Sequence, residues 1–178
     1  MRSWVAETSS ISELYARKYQ RFGTRGIRAR RGIDMTLWHV AYAAEAMAQY
    51  AIDHGLGGKT MVVTYDPRDG NPALAQMVAA ILVRRGFTVH LFREPTATGP
   101  AVHWALYEVP EGELAGMINL TPSHNALPWY GIRYSSPEGT PAPTSITDEI
   151  GEHVNEYLLA GLEIPELLGV DGTRFESL

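Results

Sequence analysis

Thr60-Met61-Val62-Val63-Thr64-Tyr65-Asp66-Pro67-Arg68-Asp69-Gly70-Asn71-Pro72 is an apolar run, a turn and a helix start in unbroken succession. The run 60–65 does not alternate with polar residues, so it predicts a strand buried on both faces, as in a parallel sheet. Asp66 to Gly70 carries turn chemistry, and Asn71-Pro72 predicts a helix with a cap and a first-turn proline. Leu74, Met77, Val78, Ile81 and Leu82 then recur at helical spacing, and Arg84, Arg85 and Gly86 supply a favourable end. A second apolar run, Phe87 to Phe92, completes strand, helix and strand. That unit predicts a parallel sheet with helices on its faces.

Working outward, Leu37, Val40, Ala41, Ala44, Met47, Ala48 and Ala51 predict a helix over 36–54, with Asp34 or Thr36 as cap and Gly55 as terminator. Pro100 opens a short helix through Ala101, Val102, Trp104, Ala105 and Leu106. Residues 115–120 form a third strand, and Ile132-Arg133-Tyr134 a short fourth, paired antiparallel to the third because the connection is brief. Ser145 caps a last helix through Ile146, Ile150, Val154 and Leu158, stopped by Gly161. At the flanks, Ile11, Leu14, Tyr15 and Tyr19 allow one short amphipathic helix within 1–21. Residues 162–178 read as a weakly specified tail, packed as a satellite of the same domain or against a neighbour.

The chain has 178 residues, 45% hydrophobic, which suits one domain able to bury its own core. Its net charge of -5 gives no global attraction to nucleic acid or an anionic membrane, so any anion must be met by a local cluster. With no cysteine, disulfides and thiolate chemistry are excluded. No signal peptide or membrane span is visible, and a cytoplasmic protein is expected. Asn119-Leu120-Thr121 matches the glycosylation acceptor pattern by chance, since it falls on a strand.

Thr121-Pro122-Ser123-His124-Asn125 follows the third strand and holds a serine in a turn at the strand's end. From its residues alone Ser123 is either a nucleophile or an ordinary loop serine. Arg21 to Arg31 gathers five arginines around Gly23, Thr24 and Gly26. Composition reads this block as a solvated loop; the same arginine forks and small residues also suit phosphate. The histidines at 39, 54, 90, 103, 124 and 153 lack zinc-site spacing. A Gly-x-Ser-x-Gly elbow, a Walker loop and a Rossmann fingerprint are all missing.

Four ordered motifs carry a resemblance: Phe22-Gly23-Thr24-x-Gly26-Ile27-Arg28, Tyr65-Asp66-x-Arg68, Thr121-Pro122-Ser123-His124-Asn125 and Gly131-Ile132-Arg133-Tyr134. Together they resemble the first domain of the alpha-D-phosphohexomutases, the phosphoglucomutase and phosphomannomutase family. Gly131 to Pro143 is closest to the glucose-phosphate branch. The resemblance implies an α/β fold, a three-layer α/β/α sandwich with a mixed, mostly parallel four-stranded sheet. It divides the chain into an extension at 1–20, domain I at 21–161, and a tail or linker toward a second domain at 162–178.

The resemblance further implies intramolecular phosphoryl transfer interconverting hexose 1-phosphate and 6-phosphate, with glucose the expected sugar. Ser123 becomes the phosphoserine and, through its phosphate, a ligand of Mg2+; a hexose bisphosphate is the activator. His124, Arg28 and Arg133 are the other catalytic candidates. Thr24, Arg25 and Asn125 are expected to bind phosphate or substrate. Without the resemblance His124 reads as a histidine bonded locally in its loop, and Asp66 with Arg68 as an ion-paired turn that fixes a helix start.

Two departures stand out. Arg133 replaces the family's active-site lysine and, being always protonated, makes a poor general base; Ala126 replaces the proline after Ser-His-Asn. Family members also have four domains, of which the second supplies the magnesium aspartates, and no Asp-x-Asp-x-Asp run occurs here. The isolated chain is therefore expected to be inactive, with the remaining mutase domains as its partners. Two other readings are a stand-alone phosphosugar-binding or scaffold domain, and an inactive mutase homologue.

Overall fold

A computed structural model describes residues 26–32 and 35–165. The amphipathic helix expected within 1–21, the Asp34 alternative for a cap and most of the expected tail lie outside the described residues. In chain order the elements are β1 (Gly26–Arg30), α1 (Leu37–Asp53), β2 (Thr60–Tyr65), α2 (Asn71–Arg84), β3 (Thr88–Leu91), α3 (Thr98–Glu108), β4 (Leu114–Leu120), β5 (Trp129–Ser135) and α4 (Thr144–Ala160).

The sheet has five strands in the order β1-β5-β4-β2-β3. β4 and β3 flank β2 in parallel, whereas β5 runs antiparallel to both β4 and β1. The expected four-stranded, mostly parallel sheet is corrected on both points: β1 adds a strand, and half of the pairings are antiparallel. Gly26 to Arg30, read from composition as a solvated loop, alternates buried Ile27 and Ala29 with exposed Arg28 and Arg30. That is a half-buried edge strand.

Three layers result. Met61, Val63, Ile118, Leu120, Ile132 and Tyr134 point from one face into the main core, against buried residues of α1, α2 and α4. α1 is buried nearly all round, which its run of small alanines permits. On the other face α3 covers mainly β2 and β4, where Val62, Leu114 and Met117 meet Ala101 and Ala105, and its Trp104 reaches His90 of β3 edge-on at 5.2 Å. The outer face of β1 and β5 therefore carries no helix among the described residues.

Local chemistry accounts for most boundaries. Thr36 N–H donates to His39 Nδ1 at 3.1 Å at the start of α1. Gly161, left-handed at φ 62, ends α4 as expected. α4 itself begins at Thr144, one residue before the expected cap, and α3 begins at Thr98, two before Pro100. Beyond α4 the chain turns back: Tyr42 Oη donates to Leu162 O at 2.9 Å, and Ile164 is fully buried. Asn119 is buried in β4, so the acceptor tripeptide is not presented. None of the described helices is long and apolar enough to cross a membrane.

Candidate active site

β2 and β4 run parallel and in register, Tyr65 opposite Leu120, so their C-terminal turns lie side by side. The ends of parallel strands are where α/β sheets place their ligands. After β2 comes Asp66 to Gly70; after β4 comes Thr121 to Asn125. Ser123 and His124 are exposed at the tip of the second turn. Ser123 has φ 67 and is the one non-glycine residue with positive φ among those described. A left-handed serine costs about 1–3 kcal/mol and persists only where its surroundings over-determine it.

Those surroundings are the first turn. Ser123 N–H donates to Thr121 Oγ1 at 3.0 Å, and Thr121 Oγ1 donates in turn to Asp66 Oδ2 at 2.7 Å. Asp66 also accepts from Arg68 Nε at 3.0 Å and from the Arg68 amide at 3.2 Å. Arg68 reaches across to the far side of the loop, donating to Asn125 O at 2.7 Å. The expected ion-paired turn is therefore present, and it also clasps the serine loop at both ends.

Asn71 differs from expectation. It is the first helical residue after a left-handed Gly70, and its side chain makes no cap. Its amide instead donates to Asp66 Oδ1 at 2.7 Å and to Leu120 O at 3.1 Å, joining the turn to the end of β4.

The antiparallel half of the sheet approaches from the other side. Gly131 leaves room for the loop: a Cβ there would sit 2.7 Å from Thr121 O and 2.9 Å from Ile27 O. Arg28 lies opposite Gly131, Gly26 opposite Arg133, and Arg133 opposite Asn119. Pleat alternation thus sends Arg28, Arg30 and Arg133 to the open outer face, away from Ile27, Ile132 and Tyr134. A further strut ties the edges together. Arg31 Nη1 bonds Asp69 Oδ2 and Tyr130 Oη, both at 3.2 Å, and Tyr130 Oη donates to Asp69 O at 2.7 Å.

Of the expected site residues, Ser123, His124 and Asn125 share the loop, and Arg28 and Arg133 stand on the neighbouring antiparallel strands. Thr24 and Arg25 lie outside the described residues. His124 Nδ1 is 3.4 Å from Ser123 Oγ, at the long limit of a hydrogen bond. Asp66, Thr121 and Asn71 are the site residues that sequence reasoning missed as such. Tyr65-Asp66-x-Arg68 was the available signal, but its reach to Asn125 depends on which strands are neighbours. Among the described residues no group of three or more His, Asp or Glu could hold a metal, and Asp66 is occupied by hydrogen bonds.

The fold and the loop define a class first: a three-layer α/β/α domain that presents a serine at the carboxyl ends of its parallel strands. Residues 19–160 match the family described as phosphoglucomutase/phosphomannomutase, alpha/beta/alpha domain I, and the chain belongs to that family. It is 30% identical over 144 residues to phosphoglucosamine mutase of Carboxydothermus hydrogenoformans, covering 81% of this chain and 30% of that one. It is 31% identical over 141 residues to phosphoglucomutase 1 of Saccharomyces cerevisiae, covering 77% and 25%. A crystal structure of a putative phosphomannomutase from Thermus thermophilus superposes with TM-score 0.68 at 27% identity, covering 77% of this chain and 30% of that one. The chain thus spans about a quarter to a third of the proteins it matches.

Proposed function

We propose that this chain is the phosphoserine-carrying first domain of a phosphohexomutase, acting in the cytoplasm on hexose phosphates with glucose as the sugar. The observation that carries the reading is Ser123: exposed, left-handed, and clasped at the strand ends beside a face bearing Arg28 and Arg133. Phosphoserine here gives its phosphoryl group to a free hydroxyl of the hexose monophosphate, breaking the P–Oγ bond as the new P–O bond forms. The bisphosphate turns over, and its other phosphoryl group returns to Ser123 Oγ. A hexose bisphosphate is therefore the activator that first loads the serine.

Phosphoserine brings close to two negative charges at neutral pH. Arg28 and Arg133 offset that charge, as arginine forks are suited to do, and Asn125 and the expected Thr24 and Arg25 hold the substrate's phosphate. His124 handles the substrate hydroxyl or its proton, while Arg133 cannot serve as the base. Mg2+ when bound supplies further charge stabilisation at the transferring phosphoryl group. The described residues do not form its site unaided, and Ser123 would contribute a phosphate oxygen alone. The other ligands and the sugar contacts belong to the remaining mutase domains; domain I occupies 21–161 together with the return through Ile164 that packs on its core, and a linker to the second domain follows. The isolated chain is accordingly inactive.

Intact-mass analysis of the protein at its natural full length, after incubation with glucose 1,6-bisphosphate, is expected to find one added phosphoryl group on Ser123. Ser123→Ala is expected to abolish it and to lower turnover by roughly a thousandfold or more, as for other covalent nucleophiles. A protein that never takes up phosphate, or a Ser123→Ala variant that keeps its rate, overturns the reading. Arg133 favours one second reading, an inactive homologue: there Arg133→Lys creates mutase activity absent from the wild type.

A further inference from the structure

The buried side of the serine loop points to a residue that the reading above leaves without a part. Asp66 accepts four hydrogen bonds on its two oxygens. Oδ1 takes the Arg68 amide at 3.2 Å and Asn71 Nδ2 at 2.7 Å; Oδ2 takes Arg68 Nε at 3.0 Å and Thr121 Oγ1 at 2.7 Å. A carboxylate offers about four such lone-pair positions, so this one is saturated by the protein and has none to give a metal or a substrate. Its own amide donates to Leu120 O at 3.1 Å, so backbone and side chain both bind the end of β4.

Each donor leads toward Ser123. Thr121 can accept the Ser123 N–H because its hydroxyl proton is committed to Asp66. Arg68 can hold Asn125 O because its Nε edge is docked on the same carboxylate. Asn71, 2% exposed, fixes Oδ1 from the first turn of α2. The left-handed backbone of Ser123 is thereby held from the residue two before it and the residue two after it, by one acid in the turn after β2.

We infer that Asp66 is a positioning residue for Ser123: through Thr121 and Arg68 it holds the serine in its left-handed conformation and so aligns Oγ for phosphoryl transfer. This rests on the function proposed above. Asp66 touches neither substrate nor phosphate; it acts on the angle at which the serine presents its oxygen. An amide at 66 cannot reproduce the contact set, because its NH2 group would face Thr121 and Arg68 or Asn71, which are themselves donors. A displacement of about 1 Å at a reacting atom is enough to cost about a hundredfold in rate.

The test uses the full-length protein and two readouts. Hydrogen exchange at the Ser123 amide, followed by NMR, reads the clasp without any need for activity. Turnover of glucose 1-phosphate reads its consequence. Asp66→Asn and Thr121→Val, the latter keeping shape but removing the hydroxyl, are expected to speed Ser123 exchange about tenfold or more while β4 amides stay protected. Both are expected to lower kcat about 10- to 100-fold with KM changed less than about threefold, and Thr121→Ser is expected to restore both readouts. Unchanged exchange and kcat in Asp66→Asn overturns the inference, as does a loss that Thr121→Ser fails to restore. Should wild-type Ser123 never accept phosphate, the functional reading fails, and the exchange comparison alone decides whether Asp66 holds the loop.

Discussion

The two faces of the sheet are built to opposite ends. One is sealed by α1, α2 and α4 over Met61, Val63, Ile118, Leu120 and Ile132, and holds most of the buried apolar surface. The other is covered by α3 over β2 and β4, leaving β1 and β5 to present Arg28, Arg30 and Arg133 beside the serine loop. The buried core and the arginine-bearing face are thus separated by the pleat of the same strands. Ile132 points into the core while its neighbours Gly131 and Arg133 lie on the opposite face. A substitution should therefore be read by the face it falls on.

The largest expected effect on stability comes from the sealed face. Ile118→Ala removes a fully buried side chain and is expected to cost about 2–5 kcal/mol in denaturant unfolding. Ser123 in the folded fraction should still accept phosphate; loss of loading at full folding would break the separation. Gly131→Ala tests the boundary. Its Cβ would meet backbone oxygens of Thr121 and Ile27, which cannot swing aside, so about 1–3 kcal/mol of overpacking is expected together with slower serine loading. Wild-type loading in this variant would mean that the loop does not depend on its close approach to β5.

The smallest effect is set by Tyr134, whose hydroxyl donates to Ala115 O at 2.7 Å over the bare backbone of Gly116. Tyr134→Phe should cost about 1 kcal/mol and leave loading untouched. Burial first, then Tyr50 and Glu138, raises the Tyr134 hydroxyl well above the usual tyrosine range. The unfolded tyrosine ionises near pH 10 while the folded one stays neutral, so this contribution is full below about pH 10 and is lost as pH rises further. Alkaline unfolding of Tyr134→Phe should accordingly be less steep in pH than that of the wild type.

Much of the fold was legible because its signals are local. The Thr60–Tyr65 strand, the Asn71–Arg84 helix and the antiparallel return after β4 follow from unbroken apolar runs, helical periodicity and a short connection. β1 alternates Ile27 and Ala29 with Arg28 and Arg30, a strand pattern, but arginine and glycine density in so short a segment mimics a loop. Asn71 misleads for a related reason. An asparagine before a proline suits a cap, and nothing nearby in sequence announces that Asp66 and Leu120 will claim its amide.

The amino-acid sequence by itself determined most of the parts: the strands and helices other than β1, where a serine turn falls, and which motifs tie the chain to its family. Those follow from periodicities and turn preferences that act over a few residues. Only the tertiary structure decided that β1 closes against β5, that Arg28 and Arg133 share one open face, and that Asp66 grips the loop of Ser123. Each of these is a hydrogen-bond register or a contact between segments far apart in the chain. Burial of one common core selects them, and no local pattern encodes that choice.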